Sequence, residues 1–236
     1  MAFDGRFRSG MLGAMSHPAP RRALVVGLGT GSTAGWLASI PEMERVDVVE
    51  IEPAIVEVAR RASLANRDVL SNPKVRVIFA DAREVLLASS EKYDLIASEP
   101  SNPYRIGVAS LFSQEFYRAV KARLNPGGLF LQWIQGYEVF PHTLRTAMAT
   151  MGSVFPEVET WQTERWDMVL VASEEPRVYD MAKLRSRAQA EPFRSALRLA
   201  WVTEGAEGYL ANFIAGAALV RSVSYTHLTL PTTPYV

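Results

Sequence analysis

The chain has 236 residues, enough for one full domain and a smaller addition, and 48% of them are hydrophobic, which excludes wholesale disorder. Lys plus Arg and Asp plus Glu each number 25, so no net field favours nucleic acid or an anionic membrane. The lack of cysteine removes disulfides, thiolate metal sites and cysteine nucleophiles, and it fits a reducing, cytoplasmic compartment. His17, His142 and His227 stand too far apart to suggest a metal site. No apolar run reaches the roughly 18 residues of a membrane span, and the N-terminus lacks a signal-peptide pattern.

In chain order, the apolar run ALVVG at 23–27 predicts a buried strand ending in glycine, and 33–40 reads as a helix. A second strand is expected at 46–50. Pro53 then opens a helix at 54–66, because a missing N–H costs nothing in a first turn. A third strand at 75–79 leads to a short helix from Ala82, and a fourth strand covers 95–98. A helix at 114–124, a turn at 125–128 and a fifth strand at 129–134 follow. Residues 142–151 read as helix, and 154–160 with 167–172 as a closing hairpin. Beyond Pro176 the segments are helical without a chemical signature. Strands alternating with helices predict an α/β fold with a mostly parallel sheet, here of seven strands with an antiparallel edge.

The first strand runs into Gly27-Leu28-Gly29-Thr30-Gly31, where glycines let backbone approach a ligand and the next helix, capped by Ser32 or Thr33, turns its free N–H groups toward it. The second strand ends in Glu50, 19 residues after Gly31, where a Rossmann-like unit sets a carboxylate for two ribose hydroxyls. The Gly-x-Gly-x-Gly spacing shifts the expected ligand from a dinucleotide to an S-adenosyl compound. Asp81, followed by Ala82, either accepts from an adenine amino group or caps a helix. Glu99 ends the fourth strand between prolines, as a carboxylate able to attract a cation or take a proton from an amine. Asn102 and Tyr104 add neutral hydrogen-bonding groups to its loop. Gln132 either touches an acceptor or faces a helix. Trp133, Trp161 and Trp166 stack on a ligand or pack at strand ends. Arg21 and Arg22 read as a solvated flank, and Phe116 and Tyr117 as core.

The segments RRALVVGLGTGSTA, VDVVEIEPAIVEVAR, NPKVRVIFADAREVL and YDLIASEPSNPYRIGVASLFSQEFYRAVKARLNPGGLFLQW resemble the spermidine synthase (polyamine aminopropyltransferase) family, and most closely its transporter-fused bacterial members. The resemblance is tight over 21–133 and loose to 173. It implies a Rossmann-like class I AdoMet-methyltransferase-type fold and transfer of an aminopropyl group from decarboxylated S-adenosylmethionine to an amine acceptor, without a metal. By that resemblance Gly27, Leu28, Gly29, Thr30 and Gly31 line the donor, Glu50 and Ile51 hold its ribose end, Asp81 and Ala82 its adenine, Glu99 is the base, and Asn102, Tyr104 and Gln132 face the acceptor. The chain departs from the family with Glu99 and Asn102 in place of aspartates, with Thr30 in place of an Asp, and with Gly10 before Met11-Leu12 where an acid is expected. The alternatives are an AdoMet-dependent methyltransferase acting on a small nucleophile and a non-catalytic domain that senses a nucleoside or polyamine.

The resemblance divides the chain into an N-terminal remnant at 1–20, a catalytic domain at 21–175 and a helical segment at 176–222. Residues 223–232 resemble the translation of a transposase adapter, so 223–236 are expected to carry no function and the natural chain to continue past Ser222. Met1 reads as an internal start in a longer gene. A homodimer, and tethering of the whole protein to the inner membrane, are further implications of the resemblance.

Overall fold

The computed structural model describes residues 8–100, 107–136, 139–164 and 167–223. Five short apolar runs become the parallel strands β1 (Arg22–Val26), β2 (Arg45–Glu50), β3 (Val75–Phe79), β4 (Tyr93–Ser98) and β5 (Leu124–Gln135). The hairpin β6 (Glu157–Glu164) and β7 (Asp167–Ser173) joins antiparallel, and β8 (Phe213–Ala215) adds to β6. The sheet order is β3-β2-β1-β4-β5-β7-β6-β8. The eighth strand is one more than the sequence predicts. It lies in a stretch read as helical, and three residues are too few to carry a strand period.

Alternation along the strands divides the core. Ala23 and Val25 enter one apolar cluster, Leu24 and Val26 the other. The first cluster is covered by α1 (Arg8–Ser16), α2 (Ser32–Ala38), α7 (Met181–Gln189), α8 (Phe193–Ala200) and α9 (Gly205–Leu210). Between α2 and α7 in the chain come α3 (Ile55–Arg61), α4 (Ala82–Ala88), α5 (Gln114–Ala122) and α6 (Pro141–Gly152). The last three cover the second cluster together with α10 (Ala217–Val223). The result is a three-layer sandwich with both sheet faces buried, as parallel strands require. No described helix is long and apolar enough to cross a membrane.

Five local readings change. The helix expected to run to Asn66 ends at Arg61, and Arg67 and Asp68 then adopt φ of 57° and 53°. Beyond the break, Asn66 turns its side-chain amide onto Ala59 O. The helix from Gln114 stops at Ala122, because Leu124 is drawn into pairing with Tyr93. The Asn-Pro-Gly-Gly turn becomes an irregularity inside β5, where the register jumps between Tyr93 and Leu95. The strand expected at 154–160 starts at Glu157 and runs on to Glu164. Residues 8–16, for which no element was expected, form the buried helix α1. Its glycines allow this: a Cβ on Gly10 would lie 2.8 Å from Thr33 Cγ2, and one on Gly13 would lie 2.7 Å from Leu131 Cδ1.

Candidate active site

The parallel register places the chemistry on one edge. Val26 pairs with both Val49 and Ser98, Glu50 with Phe79, and Ser98 with Gln132. The glycine loop, Glu50, Asp81, Glu99 and Gln132 therefore all follow or occupy carboxyl ends of adjacent strands. In an open α/β sheet this edge carries the ligand crevice.

Glu50 is the most tightly held of these groups. It is 8% exposed, its Oε2 accepts from Leu28 N at 2.8 Å and its Oε1 from Glu52 N at 2.9 Å. Two backbone donors aim this nearly buried carboxylate, with lone pairs left on both oxygens. Ile51, the next residue, is 71% exposed.

Gly27, Leu28, Gly29, Thr30, Ser32 and Thr33 line a small cleft together with Glu99. A Cβ on Gly27 or Gly29 would meet nothing within 4 Å, so the loop backbone faces open space. The expected side-chain cap of α2 is not what forms. Gly31, with φ of 79°, is the cap residue and supplies no side chain, while Thr30 Oγ1 and Ser32 Oγ lie 3.0 Å apart. The Thr33 hydroxyl donates to Glu99 Oε1 at 2.8 Å.

Sequence reasoning missed Asn66, which is 1% exposed. Its Nδ2 donates to Thr30 O and to Ala59 O, both at 2.7 Å, and its Oδ1 accepts from Val69 N at 3.2 Å. A Cβ on Gly35 would fall 1.7 Å from Asn66 O, so α2 and this loop touch backbone to backbone. The one sequence signal for the contact is the glycine within the α2 helix, a position that otherwise disfavours glycine by ~1 kcal/mol.

Asp81 caps α4 by accepting from Arg83 N at 2.8 Å, and Arg83 Nη2 also reaches its Oδ2 at 2.5 Å. These Arg83 contacts hold the Asp81 carboxyl below its ordinary range. Ala82 follows as the first, buried residue of the helix. Gln132 is wholly buried: its Oε1 accepts from Tyr117 OH at 2.5 Å and its Nε2 donates to Leu111 O at 2.9 Å. It stands behind the crevice wall and braces the 3₁₀ turn Ala109–Phe112 from within. Asn102, Tyr104 and Trp166 lie outside the described residues. Trp133 is buried, and Trp161 packs on Tyr209 with ring centroids 5.0 Å apart, so both belong to the core. Phe116 and Tyr117 do too. Arg21 and Arg22 pair with Glu44 and Glu91 beside the opposite strand ends.

The arrangement combines a backbone-lined cleft, an anchored carboxylate at the end of β2 and a second carboxylate in the cleft wall. Among the described residues no three His, Asp or Glu side chains gather as a metal site. These features, with the strand order, define a Rossmann-like fold of the methyltransferase type with a cleft at the carboxyl ends of its parallel strands. Residues 10–164 match the spermine/spermidine synthase domain, and the chain belongs to that family. It is 33% identical over 145 residues to a polyamine aminopropyltransferase of Thermococcus onnurineus, covering 61% of this chain and 51% of the relative. It is 30% identical over 173 residues to putrescine N-methyltransferase 2 of Nicotiana attenuata, covering 69% and 46%. A crystal structure of spermidine synthase in complex with the transition-state analogue AdoDATO superposes with a TM-score of 0.75 at 18% identity, covering 94% of this chain and 76% of that one. The chain spans about half the length of the curated relatives it matches.

Proposed function

We propose that the chain carries an aminopropyltransferase site, in which decarboxylated S-adenosylmethionine donates an aminopropyl group to a polyamine acceptor and Glu99 is the base. The observation that carries this reading is the Glu99 carboxylate in the wall of the glycine-lined cleft, in a member of the spermine/spermidine synthase family. The loop Gly27, Leu28, Gly29, Thr30 and Gly31 lies along the donor. Glu50, already fixed by two backbone N–H groups, accepts the two ribose hydroxyls with its remaining lone pairs. Ile51 covers one face of the adenine, and Asp81 with Ala82 meets its edge once Asp81 yields part of its Arg83 contact.

The donor supplies an activated carbon on a sulfonium. A neutral amine attacks that carbon, the carbon–sulfur bond breaks with its electrons going to sulfur, and methylthioadenosine leaves. The proton from the amine passes to Glu99. The protein's part is to hold amine and carbon in line, exclude water and take the proton.

The test is incubation with decarboxylated S-adenosylmethionine and putrescine, with mass-spectrometric detection of spermidine and methylthioadenosine. Glu99→Gln is expected to slow transfer by about 10²–10⁴-fold, the usual worth of a general base. Methyl transfer from intact S-adenosylmethionine, or methylthioadenosine binding without any transfer, would replace this reading by the methyltransferase or the sensor.

A further inference from the structure

We infer that Val69 is a positioning residue for the glycine loop, and through the loop for the donor, and that Gly31 is glycine for the sake of Val69 and not of the ligand. The inference rests on the reading of that loop as the donor's seat. Every residue from 27 to 33 except Gly31 lines the cleft. Gly31 is buried, while Gly27 is exposed and Gly29 half-buried. A Cβ on Gly27 or Gly29 would meet nothing within 4 Å, whereas one on Gly31 would lie 2.6 Å from Val69 Cγ1 and 3.2 Å from Asn66 Nδ2. The third glycine of the motif thus turns away from the cleft and onto the segment 65–69.

The same segment meets α2 one turn further on. Gly35 stands four residues after Gly31 and so on the same helix face. A Cβ on Gly35 would lie 1.7 Å from Asn66 O and 3.3 Å from Val69 Cβ. Trp36 Nε1 donates to Ala65 O at 3.2 Å, and the Arg67 guanidinium lies 3.8 Å over the Trp36 ring. The segment is therefore fastened along the first turns of α2. Its contact at Gly35 is with backbone, which cannot be altered by substitution. Its contact at Gly31 is with the Val69 side chain, which can be shortened.

Packing decides which side of this contact yields. Val69 is wholly buried and belongs to the first apolar cluster, where close packing resists displacement. The glycine loop has open space before it at Gly27 and Gly29. A side chain at position 31 therefore pushes the loop toward the cleft, into the room the donor needs. Val69 acts on the donor without touching it, by setting how far the loop backbone stands into the cleft.

The experiment compares the whole chain with Gly31→Ala, Val69→Ala and the double variant, by calorimetric titration with methylthioadenosine and by hydrogen exchange at residues 28–32. The φ of 79° at position 31 penalises alanine in the single and double variants alike, so their difference reads the contact with Val69. Gly31→Ala is expected to weaken methylthioadenosine by more than about tenfold, and the added Val69→Ala to regain about tenfold, within the range over which contacting residues couple. In aminopropyl transfer the same loss and recovery should appear in the KM for the donor, with the KM for putrescine held within about twofold. Should Gly31→Ala fail to fold, a folded, nucleoside-binding double variant carries the same meaning, and failure of both to fold overturns the inference. Equal nucleoside affinity in Gly31→Ala and the double variant overturns it, and so does a Gly31→Ala chain that binds like the unaltered one. If the unaltered chain does not bind methylthioadenosine, the donor reading falls. Faster exchange at residues 28–32 in Gly31→Ala, slowed again in the double variant, would then leave the hold of Val69 on the loop standing, and unchanged exchange would remove it as well.

Discussion

The backbone N–H of Leu28 donates to Oε2 of Glu50 at 2.8 Å, joining the glycine loop to the end of the neighbouring strand. The other oxygen accepts from Glu52 N, so each carboxylate oxygen serves one backbone donor. An amide cannot copy this, since it offers one accepting oxygen and turns a donor toward the second N–H. Glu50→Gln is therefore expected to bind methylthioadenosine nearly as poorly as Glu50→Ala. Both should lose about 10–100-fold by calorimetric titration, the scale of one charge-assisted hydrogen bond. Binding by Glu50→Gln at the level of the unaltered chain would show that ribose recognition does not depend on the carboxylate.

Asn66 ties three elements with one side chain: Thr30 O in the glycine loop, Ala59 O in α3 and Val69 N beyond. Asn66→Ala leaves these three backbone groups without their side-chain partner. Each such loss costs roughly 1–3 kcal/mol where water cannot compensate, so a net fall of about 3 kcal/mol in unfolding free energy is expected from urea titration. Hydrogen exchange should show the larger increase at residues 28–32 than in β4, because the lost contact is local to the loop. Equal acceleration everywhere would mean that Asn66 supports the fold without shaping the loop.

His17 sets a pH dependence with a definite sign. Burial holds its imidazole below the ordinary value of 6.5, with Asp94 opposing and Arg187 and Arg177 adding to the lowering. Its Nδ1 accepts from Ala19 N at 3.3 Å, which a proton on that nitrogen would abolish. The unfolded chain binds this proton more readily than the folded one. Stability from His17 is therefore complete above pH 6.5 and is lost as pH falls toward the lower folded value, by up to ~1.4 kcal/mol per pH unit. His17→Asn, whose carbonyl oxygen can accept from Ala19, should flatten the stability–pH curve in that window. An unchanged slope would assign the dependence to other groups.

The legible parts of the molecule were those written in local pattern. The five parallel strands and the hairpin follow from short apolar runs, and the position of Glu50 follows from its distance to the glycine loop, because a βαβ unit fixes that distance. The α1 helix, Asn66 and the Thr33–Glu99 pair were not legible. Each depends on partners far away in sequence: Gly10 on Thr33, Asn66 on Thr30, Thr33 on Glu99. A threonine after a glycine loop reads as a helix cap, and only the folded geometry shows its hydroxyl spent on another strand. Gln132 illustrates the converse, since a strand-end amide reads equally as a ligand contact or a brace until Tyr117 and Leu111 are seen to take both of its ends.

The buried ion pair between Arg177 and Glu159 fastens the segment after β7 to β6 and α1. Arg177 Nη1 lies 2.6 Å from Glu159 Oε2, with side chains 6% and 13% exposed, and Arg177 also donates to Ser16 Oγ. The same Oε2 accepts from Tyr179 OH at 2.5 Å and Trp161 Nε1 at 2.9 Å. Burial raises the Tyr179 phenol well above its ordinary value, so it remains a donor throughout the neutral range. Arg177→Met removes the only cation of this set and leaves a buried carboxylate with two neutral donors, which should cost about 3–5 kcal/mol in urea unfolding. Glu159→Gln in the same chain removes the stranded charge, and the neutral amide oxygen can still accept from Tyr179 and Trp161. The double variant Arg177→Met with Glu159→Gln is therefore expected to be more stable than Arg177→Met alone, although it lacks more of the native groups. A double variant less stable than the single one would show that the network is held by shape and hydrogen-bond geometry, with charge balance secondary.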